Sequence, residues 1–426
     1  MKPVGHFLAA LLAGWFATGL GASPLTLDQV LSQADRPHPE LDRALAETEL
    51  ARAEFRLAES LDDVQVTLEA GLRSGRNTLT GQFEPDHFAR LNARKPLWDG
   101  RRSAWASTAA ERELAAREGQ LLDARSQRRL TLMRLFFDIL LADLNYAAES
   151  ELAAVAYVNW DNGRERRALG ELSEVQLVEL EGRFQEARKQ RNAWLRQARE
   201  LRTRLAAAMN TPESLPAELV EPRLALERHR LPEAAQLQAW LESGNPRLRA
   251  QRDLLAAAEA RLAAHRADRN PSLDIELETA AYSRDSYTRD DLRAGLQLVW
   301  PLWQGERADA EIAREQARLA RLRADTDQLA LDLRQALIET REEIQFLSDS
   351  ERPAARVNQA RRDWALDRAQ AEYELELKTN LGNTMADTQF ARLRAKSVEF
   401  RLALAWERMA ALLGRPIEDF AKETLP

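Results

Sequence analysis

Pro96-Leu97-Trp98-Asp99-Gly100 returns as Pro301-Leu302-Trp303-Gln304-Gly305, 205 positions later in a chain of 426 residues. Both copies stand between an alternating apolar and polar run and a long stretch of Ala, Leu, Arg and Glu. Proline cannot donate to a strand ladder and belongs where a strand finishes. Glycine lets the backbone turn before a helix begins, and tryptophan favours a boundary between lipid and water. Because the flanking segments match as well, the pair marks an internal duplication. The chain must then fold as two similar units. Strand meets helix at Pro96, Leu97, Trp98 and Gly100 in the first, and at Pro301, Leu302, Trp303 and Gly305 in the second.

Thirty per cent of the residues are charged, with both signs interspersed, a composition that favours long helices and coiled coils. A net charge of −7 without clustered bases gives no nucleic-acid footprint, so no nucleic-acid partner is expected. There is no cysteine, which excludes disulfides, thiolate metal sites, cysteine nucleophiles and an acceptor for an N-terminal lipid. Residues 1–22 read as a secretory signal: Lys2, an apolar run over 7–20, then Gly21 and Ala22. Cleavage near Ala22 or Ser23 would leave an exported protein. No later stretch holds the roughly 18 uninterrupted apolar residues of a spanning helix, so entry into a membrane would fall to strands.

Taken in order, Thr26 caps a short helix over 27–34, Pro37 and Pro39 interrupt it, and a second helix covers 40–61. The period then changes to two. Val64, Val66, Leu68, Ala70 and Leu72 alternate with polar residues as one strand, 74–86 is a loop, and 88–97 is a second strand. From Gly100 a helix of roughly 60 residues spans on the order of 90 Å. Leu114, Leu121 and Leu135 hold one heptad position, with Arg128 the odd member. Leu169-Gly170-Glu171-Leu172-Ser173 forms the tight end of a helical hairpin, and 210–232, with four prolines, joins the halves. The second half repeats the order: Asn245-Pro246 stands where His38-Pro39 stood, strands cover 272–300, Pro353 marks a kink or restart, and a hairpin end lies near 377. The domains expected are the signal at 1–22, a first repeat at 23–209 with its β-hairpin at 63–97, and a linker at 210–232. A second repeat at 233–416 and a tail at 417–426 follow.

Each half supplies one hairpin. Isolated hairpins are marginal in water and their edges invite pairing. A sheet in hydrocarbon must close on itself, and four strands cannot close a barrel when about eight are needed. If these strands enter a membrane, two or more copies must share one barrel. Glu69, Arg90, Asn92, Arg94, Asp274, Glu276, Glu278, Arg293 and Gln297 then line water, while Val64, Val66, Leu68, Leu273, Ile275, Leu277, Leu296 and Leu298 face lipid. The alternative is a soluble β-layer with its apolar side on the helices.

The order and duplication of these motifs resemble the TolC family of outer-membrane efflux channels. The likeness includes Leu25-Thr26-Leu27, Pro39-Glu40-Leu41, both Pro-Leu-Trp-x-Gly corners, and the hairpin ends Gly170-Glu171-Leu172-Ser173-Glu174-Val175 and Tyr373-Glu374-Leu375-Glu376-Leu377-Lys378-Thr379-Asn380-Leu381. It implies a mainly α protein with a small β part, built of two tandem repeats, each a long coiled-coil helical hairpin plus a β-hairpin. It implies a homotrimer whose shared twelve-stranded barrel spans the outer membrane on a periplasmic α-helical barrel. The partners implied are a periplasmic adaptor and an inner-membrane transporter of RND, ABC or related type. Leu169, Gly170, Glu171, Leu172, Ser173, Leu377, Lys378, Thr379 and Leu381 are the expected docking tip. Two features depart from the family: Glu376 stands where Gly is usual, and Gly382 and Met385 occupy places where acids often narrow the tunnel, with Asp387 the nearest acid. Absence of cysteine separates this chain from lipid-anchored members.

No catalytic constellation is legible. The five histidines lack metal spacing such as His-Glu-x-x-His, His229 in the linker reads as solvated, and no cofactor site is expected. The function expected is a passive exit duct of a tripartite efflux or secretion system. A soluble periplasmic coiled-coil adaptor or scaffold is the rival.

Overall fold

The computed structural model describes residues 24–76, 81–213, 218–283, 290–375 and 380–420. The signal segment lies outside these residues, as do Leu377, Lys378 and Thr379 at the second hairpin end. Mainly helical, the chain carries a small sheet at one end of long helices. Among the described residues no helix is long and apolar enough to cross a membrane.

Helix α1 (Leu27–Leu31) opens with a capping box, Thr26 and Gln29 each bonding the other's backbone N–H. It is shorter than expected because i→i+3 turns take over after Leu31. Helix α2 (Pro39–Glu59) is capped by His38 Nδ1, which accepts from Glu40 N at 3.3 Å. Pro39 stands at its first position, where a missing N–H costs nothing. Helix α6 (Pro246–Ala267) begins in the same way, with Asn245 Oδ1 accepting from Leu248 N at 2.8 Å and Pro246 next.

Strands β1 (Gln65–Gly71) and β4 (Phe88–Trp98) form the first hairpin, and β5 (Ser272–Tyr282) and β6 (Leu292–Val299) the second. The expected loop at 74–86 instead carries a short ladder of β2 (Ser74–Arg76) and β3 (Phe83–Pro85), which prolongs the first hairpin. The two hairpins join through β4 and β5, giving one antiparallel sheet in the order β1-β4-β5-β6. Pro96 does not end its strand. Pairing shifts between Pro96 and Trp98, and this bulge lets β4 absorb a residue without an N–H and run on to Trp98.

Helix α3 (Arg102–Ala168) has 67 residues, about 100 Å of unbroken helix. It turns at the first tip into α4 (Glu174–Ala208). After α5 (Ala234–Gly244), α6 and the second hairpin, α7 (Arg307–Phe346) passes through a single π turn, Leu347–Glu351, into α8 (Arg352–Glu374). That π turn is the restart expected at Pro353, which sits in the first turn of α8. Helix α9 (Leu381–Leu413) ends at Gly414, held at φ +59°.

The main core is a waist where α3, α4, α5, α7 and α9 meet. Phe136, Phe137, Leu205, Leu237, Leu241, Phe400 and Trp406 are buried there, and Phe137 stacks on Phe400 with centroids 4.4 Å apart. The segment between the halves is no free tether. Leu25 bridges Leu219 in parallel, and Leu219 and Leu226 are buried in the same core. Arg128, the odd member of its heptad set, is only 4% exposed. Its guanidinium donates to the carbonyls of Ala34 (3.1 Å) and Gln33 (3.4 Å), just past the early end of α1, where Gln33 O also accepts from Arg36 N. Burial and the neighbouring Glu40 act on its pKa in opposite senses, and burial prevails, lowering it.

Candidate sheet wall, corners and tip

Cross-strand register sorts the sheet into two chemically distinct faces. One carries the rows Val66–Ala93–Leu277–Ala294, Leu68–Leu91–Thr279–Leu292, Lys95–Ile275–Leu296 and Leu273–Leu298, with Val64 just ahead of β1. The other carries Gln65–Arg94–Glu276–Gly295, Thr67–Asn92–Glu278–Arg293, Pro96–Asp274–Gln297 and Glu69–Arg90. Alternation of side chains along each strand produces this separation once the register is set.

On the central strand β5 burial runs opposite to a soluble protein's, while β6 and nearly all of β1 are exposed on both faces. Leu296 is 66% exposed and Val66, Leu68, Ile275, Leu277 and Leu298 are exposed too, whereas Asp274 is 3% exposed and Glu276 and Glu278 are half-buried. The apolar side does not pack on the chain's own helices. On the charged side Arg90 pairs with Glu69 at 3.0 Å, and Arg94 with Asp274 at 2.5 Å and Glu276 at 3.8 Å. Among the described residues the outer edges of β1 and β6 meet no strand.

The two corners share a left-handed glycine but not the backbone around it. Arg101 after Gly100 is left-handed as well (φ +71°), whereas Glu306 after Gly305 is helical (φ −80°), and β4 runs to Trp98 while β6 ends at Val299. Gly100 (φ +67°) and Gly305 (φ +65°) both adopt the left-handed conformation that glycine tolerates. At the first corner Asp99 Oδ2 accepts from Ser103 N at 2.7 Å, so it caps α3, and Asn270 Nδ2 donates to Gly100 O at 3.1 Å. A Cβ on Gly100 would lie 2.3 Å from the Asn270 Cβ, whereas one on Gly305 would meet nothing within 4 Å. Trp98 is 49% exposed; Trp303 is 88% exposed, beside an exposed Leu302. Between α6 and α7, His265, Asp268 and Glu311 bring ligand atoms within 4.8 Å, a cluster the sequence spacing hid. Arginines already serve both carboxylates, Arg307 at 3.1 Å from Glu311 and Arg102 at 3.8 Å from Asp268.

At the first tip Gly170 (φ +78°) turns the chain, and Ser173 caps α4 in a box with Gln176. Arg167–Glu174 (3.1 Å) and Arg166–Glu171 (3.5 Å) brace the turn. Leu169 projects into solvent, but Leu172 is half-buried with its side chain near Gly163, so the two leucines are not equivalent. Val175, the last residue of the hairpin-end motif but outside the expected docking set, and Val178 are exposed just above the turn. Leu381 is half-buried at the start of α9. Gly382 has a packing reason to be small: a Cβ there would come within 2.5 Å of Val155 Cγ2 on α3. Asp387 pairs with Arg362 at 2.6 Å across α8 and α9.

The segment after 218 holds two perturbed groups. His229 is half-buried rather than freely solvated; it lies against Trp406, centroids 5.2 Å apart, and burial pushes its pKa down against the contrary pull of Glu418 and Leu226. Glu227 is held down to about 2, first by the hydrogen bond from Arg356, then by its own backbone, with Arg352 adding to the effect.

No protein-family model matches this chain, and no curated protein sequence matches it. Solved structures do match. The CmeC outer membrane channel of Campylobacter jejuni aligns with a TM-score of 0.75 at 13% identity, over 94% of this chain and 87% of that one. CusC, described for its folding and transmembrane channel formation, gives 0.74 at 17% identity over 92% of each chain. The outer membrane protein VceC of Vibrio cholerae gives 0.72 at 16% identity, over 92% of this chain and 97% of that one. The chain therefore has the fold of these outer-membrane proteins, and the resemblance to TolC-type channels read from its motifs holds at that level.

Proposed function

From that fold, we propose that this protein is an outer-membrane channel, a passive exit duct for substrates handed over from the inner membrane. The observation that carries the reading is the sheet itself: exposed apolar rows on one face, ion-paired rows on the other, and, among the described residues, two edges that meet no strand. Water leaves an exposed apolar face without compensation, whereas lipid welcomes it. Three copies would pool their hairpins into a twelve-stranded barrel, with the charged rows lining an aqueous path whose fixed charges set selectivity. The helices would continue this path through the periplasm. The tips, with Leu169 at the first and Leu377, Lys378 and Thr379 at the second, would meet a periplasmic adaptor serving an inner-membrane transporter. A soluble scaffold would have to bury Leu68, Ile275 and Leu296, which the described residues leave exposed.

Detergent-extracted full-length protein in a planar lipid bilayer tests the reading. Stepwise, ohmic conductance from an oligomer is expected; a water-soluble monomer without conductance would overturn it.

A further inference from the structure

Each hairpin of the sheet stands on two helices, one that delivers the chain to it and one that takes the chain away. At the base of the first hairpin Asp99 caps α3 and Asn270 donates to Gly100 O. The base of the second is barer: α7 starts without a side-chain cap, and a Cβ on Gly305 would meet nothing within 4 Å. Here, where α6 ends and α7 begins, His265, Asp268 and Glu311 come together.

A spacing of three places His265 and Asp268 on one side of α6. Glu311 joins them from α7, and all three residues are half-buried. His265 Nδ1 is buried and makes no hydrogen bond, although Asp268 Oδ2 lies only 3.4 Å from it. A buried nitrogen without a bond calls for a partner, and a cation held by both atoms supplies one. Donor atoms on a tetrahedral zinc ion, each about 2.1 Å from the metal, stand about 3.4 Å apart. Glu311 brings a carboxylate oxygen within 4.8 Å of the other two atoms, and a turn of its long side chain closes that distance. Neither nearby arginine holds its carboxylate firmly. Arg102 stays 3.8 Å from the other Asp268 oxygen, Oδ1, and the Arg307 that reaches Glu311 Oε1 is itself 82% exposed. Exposed pairs of this kind are weak competitors.

The trio is no by-product of the duplication. Helices α2 and α6 begin at Pro39 and Pro246, 207 positions apart, and α3 and α7 begin at Arg102 and Arg307, 205 apart. On these offsets His265, Asp268 and Glu311 correspond to Ala58, Leu61 and Ala106. None of those can ligate a metal, so the second repeat alone carries the set.

We propose that His265, Asp268 and Glu311 bind one zinc ion, which ties the end of α6 to the start of α7 and closes the base of the second hairpin. One imidazole and two carboxylates make a neutral set with a divalent ion, and water completes the tetrahedron. The nitrogen donor favours zinc over magnesium and calcium, which take oxygen ligands. The ion acts as a clip, doing for the second corner what Asp99 and Asn270 do for the first. It is independent of the channel reading, because a single chain supplies all three ligands.

Zinc titration of the full chain, purified in detergent without a histidine tag, is the test. The wild type is expected to take up one zinc per chain at micromolar concentration and to unfold at a higher temperature when loaded. Millimolar magnesium should do neither. His265→Ala and Glu311→Gln should each weaken binding roughly 100-fold, the top of the range that outer-shell partners alone cause, and abolish the thermal shift. His87→Ala should change neither. Cobalt(II) in place of zinc should give the strong visible absorption of a tetrahedral site, lost in both ligand variants. No saturable uptake, uptake that survives both variants as adventitious surface binding, or cobalt that stays octahedral would each overturn the proposal. Should His265→Ala fail to fold, Glu311→Gln, which keeps the side chain's shape and removes only its charge, decides alone.

Discussion

The waist and the sheet of this molecule obey opposite solvent rules. At the waist Phe136, Phe137 and Phe400 are inside, and the charged Arg128 and Glu407 are buried there only with partners; on the sheet Leu296 and Leu298 are outside and Asp274 inside. One chain can hold both patterns because they differ in period. A helical stripe finds its cover on neighbouring helices of the same chain. A strand with period two offers two whole faces, and the chain has helices to spare for neither. The waist is therefore covered from within, whereas on the channel reading proposed above the sheet is completed by other copies and by lipid.

Three substitutions sharpen that contrast. The largest effect is expected at the waist, where Phe137→Ala removes a stacked, fully buried ring and should cost about 3–5 kcal/mol. The check is the helical signal during urea unfolding in mild detergent, which should melt earlier whether or not the protein is assembled. Next is Leu296→Arg, mid-strand on the apolar face, which should cost about 2–4 kcal/mol of insertion. Here folding into lipid vesicles should fail while helical unfolding stays as in the wild type; normal insertion would erase the distinction between the regions. The smallest concerns His229. Its folded pKa lies below the unfolded value near 6.5, so the stability it contributes is present above that value and is lost as pH falls through the window beneath it. The urea midpoint should drop between pH 8 and pH 5.5, and His229→Phe should remove that part of the drop.

Much of this was legible in the sequence because it is periodic. The switch from period two to the helical repeat located both hairpins and all the long helices, and the alternation assigned each of Glu69, Arg94, Asp274, Leu273 and Leu296 to its face before the register was known. What escaped depends on contacts between distant segments. Pro96 stayed within its strand because a bulge took up the missing donor. Arg128 broke a heptad yet proved buried, satisfied by carbonyls some 95 positions away at Gln33 and Ala34. The loop expected at 74–86 contains a ladder too short to show alternation. His229 carries no local sign of Trp406, and nothing near Gly382 announces that Val155 presses on it. The joining of β4 to β5 is a pairing across the duplication, which neither repeat encodes alone.

The two open strand edges also bear on the order of events in the cell. A chain whose waist has folded but whose hairpins have found no lipid presents a ready template for indiscriminate ladder formation, with greasy side chains turned to water. On the channel reading proposed above, hairpins that have not yet met further copies are best shielded or left unformed. Assembly would then be limited by the encounter of one exposed edge with another, a second-order step whose rate depends on the concentration of copies.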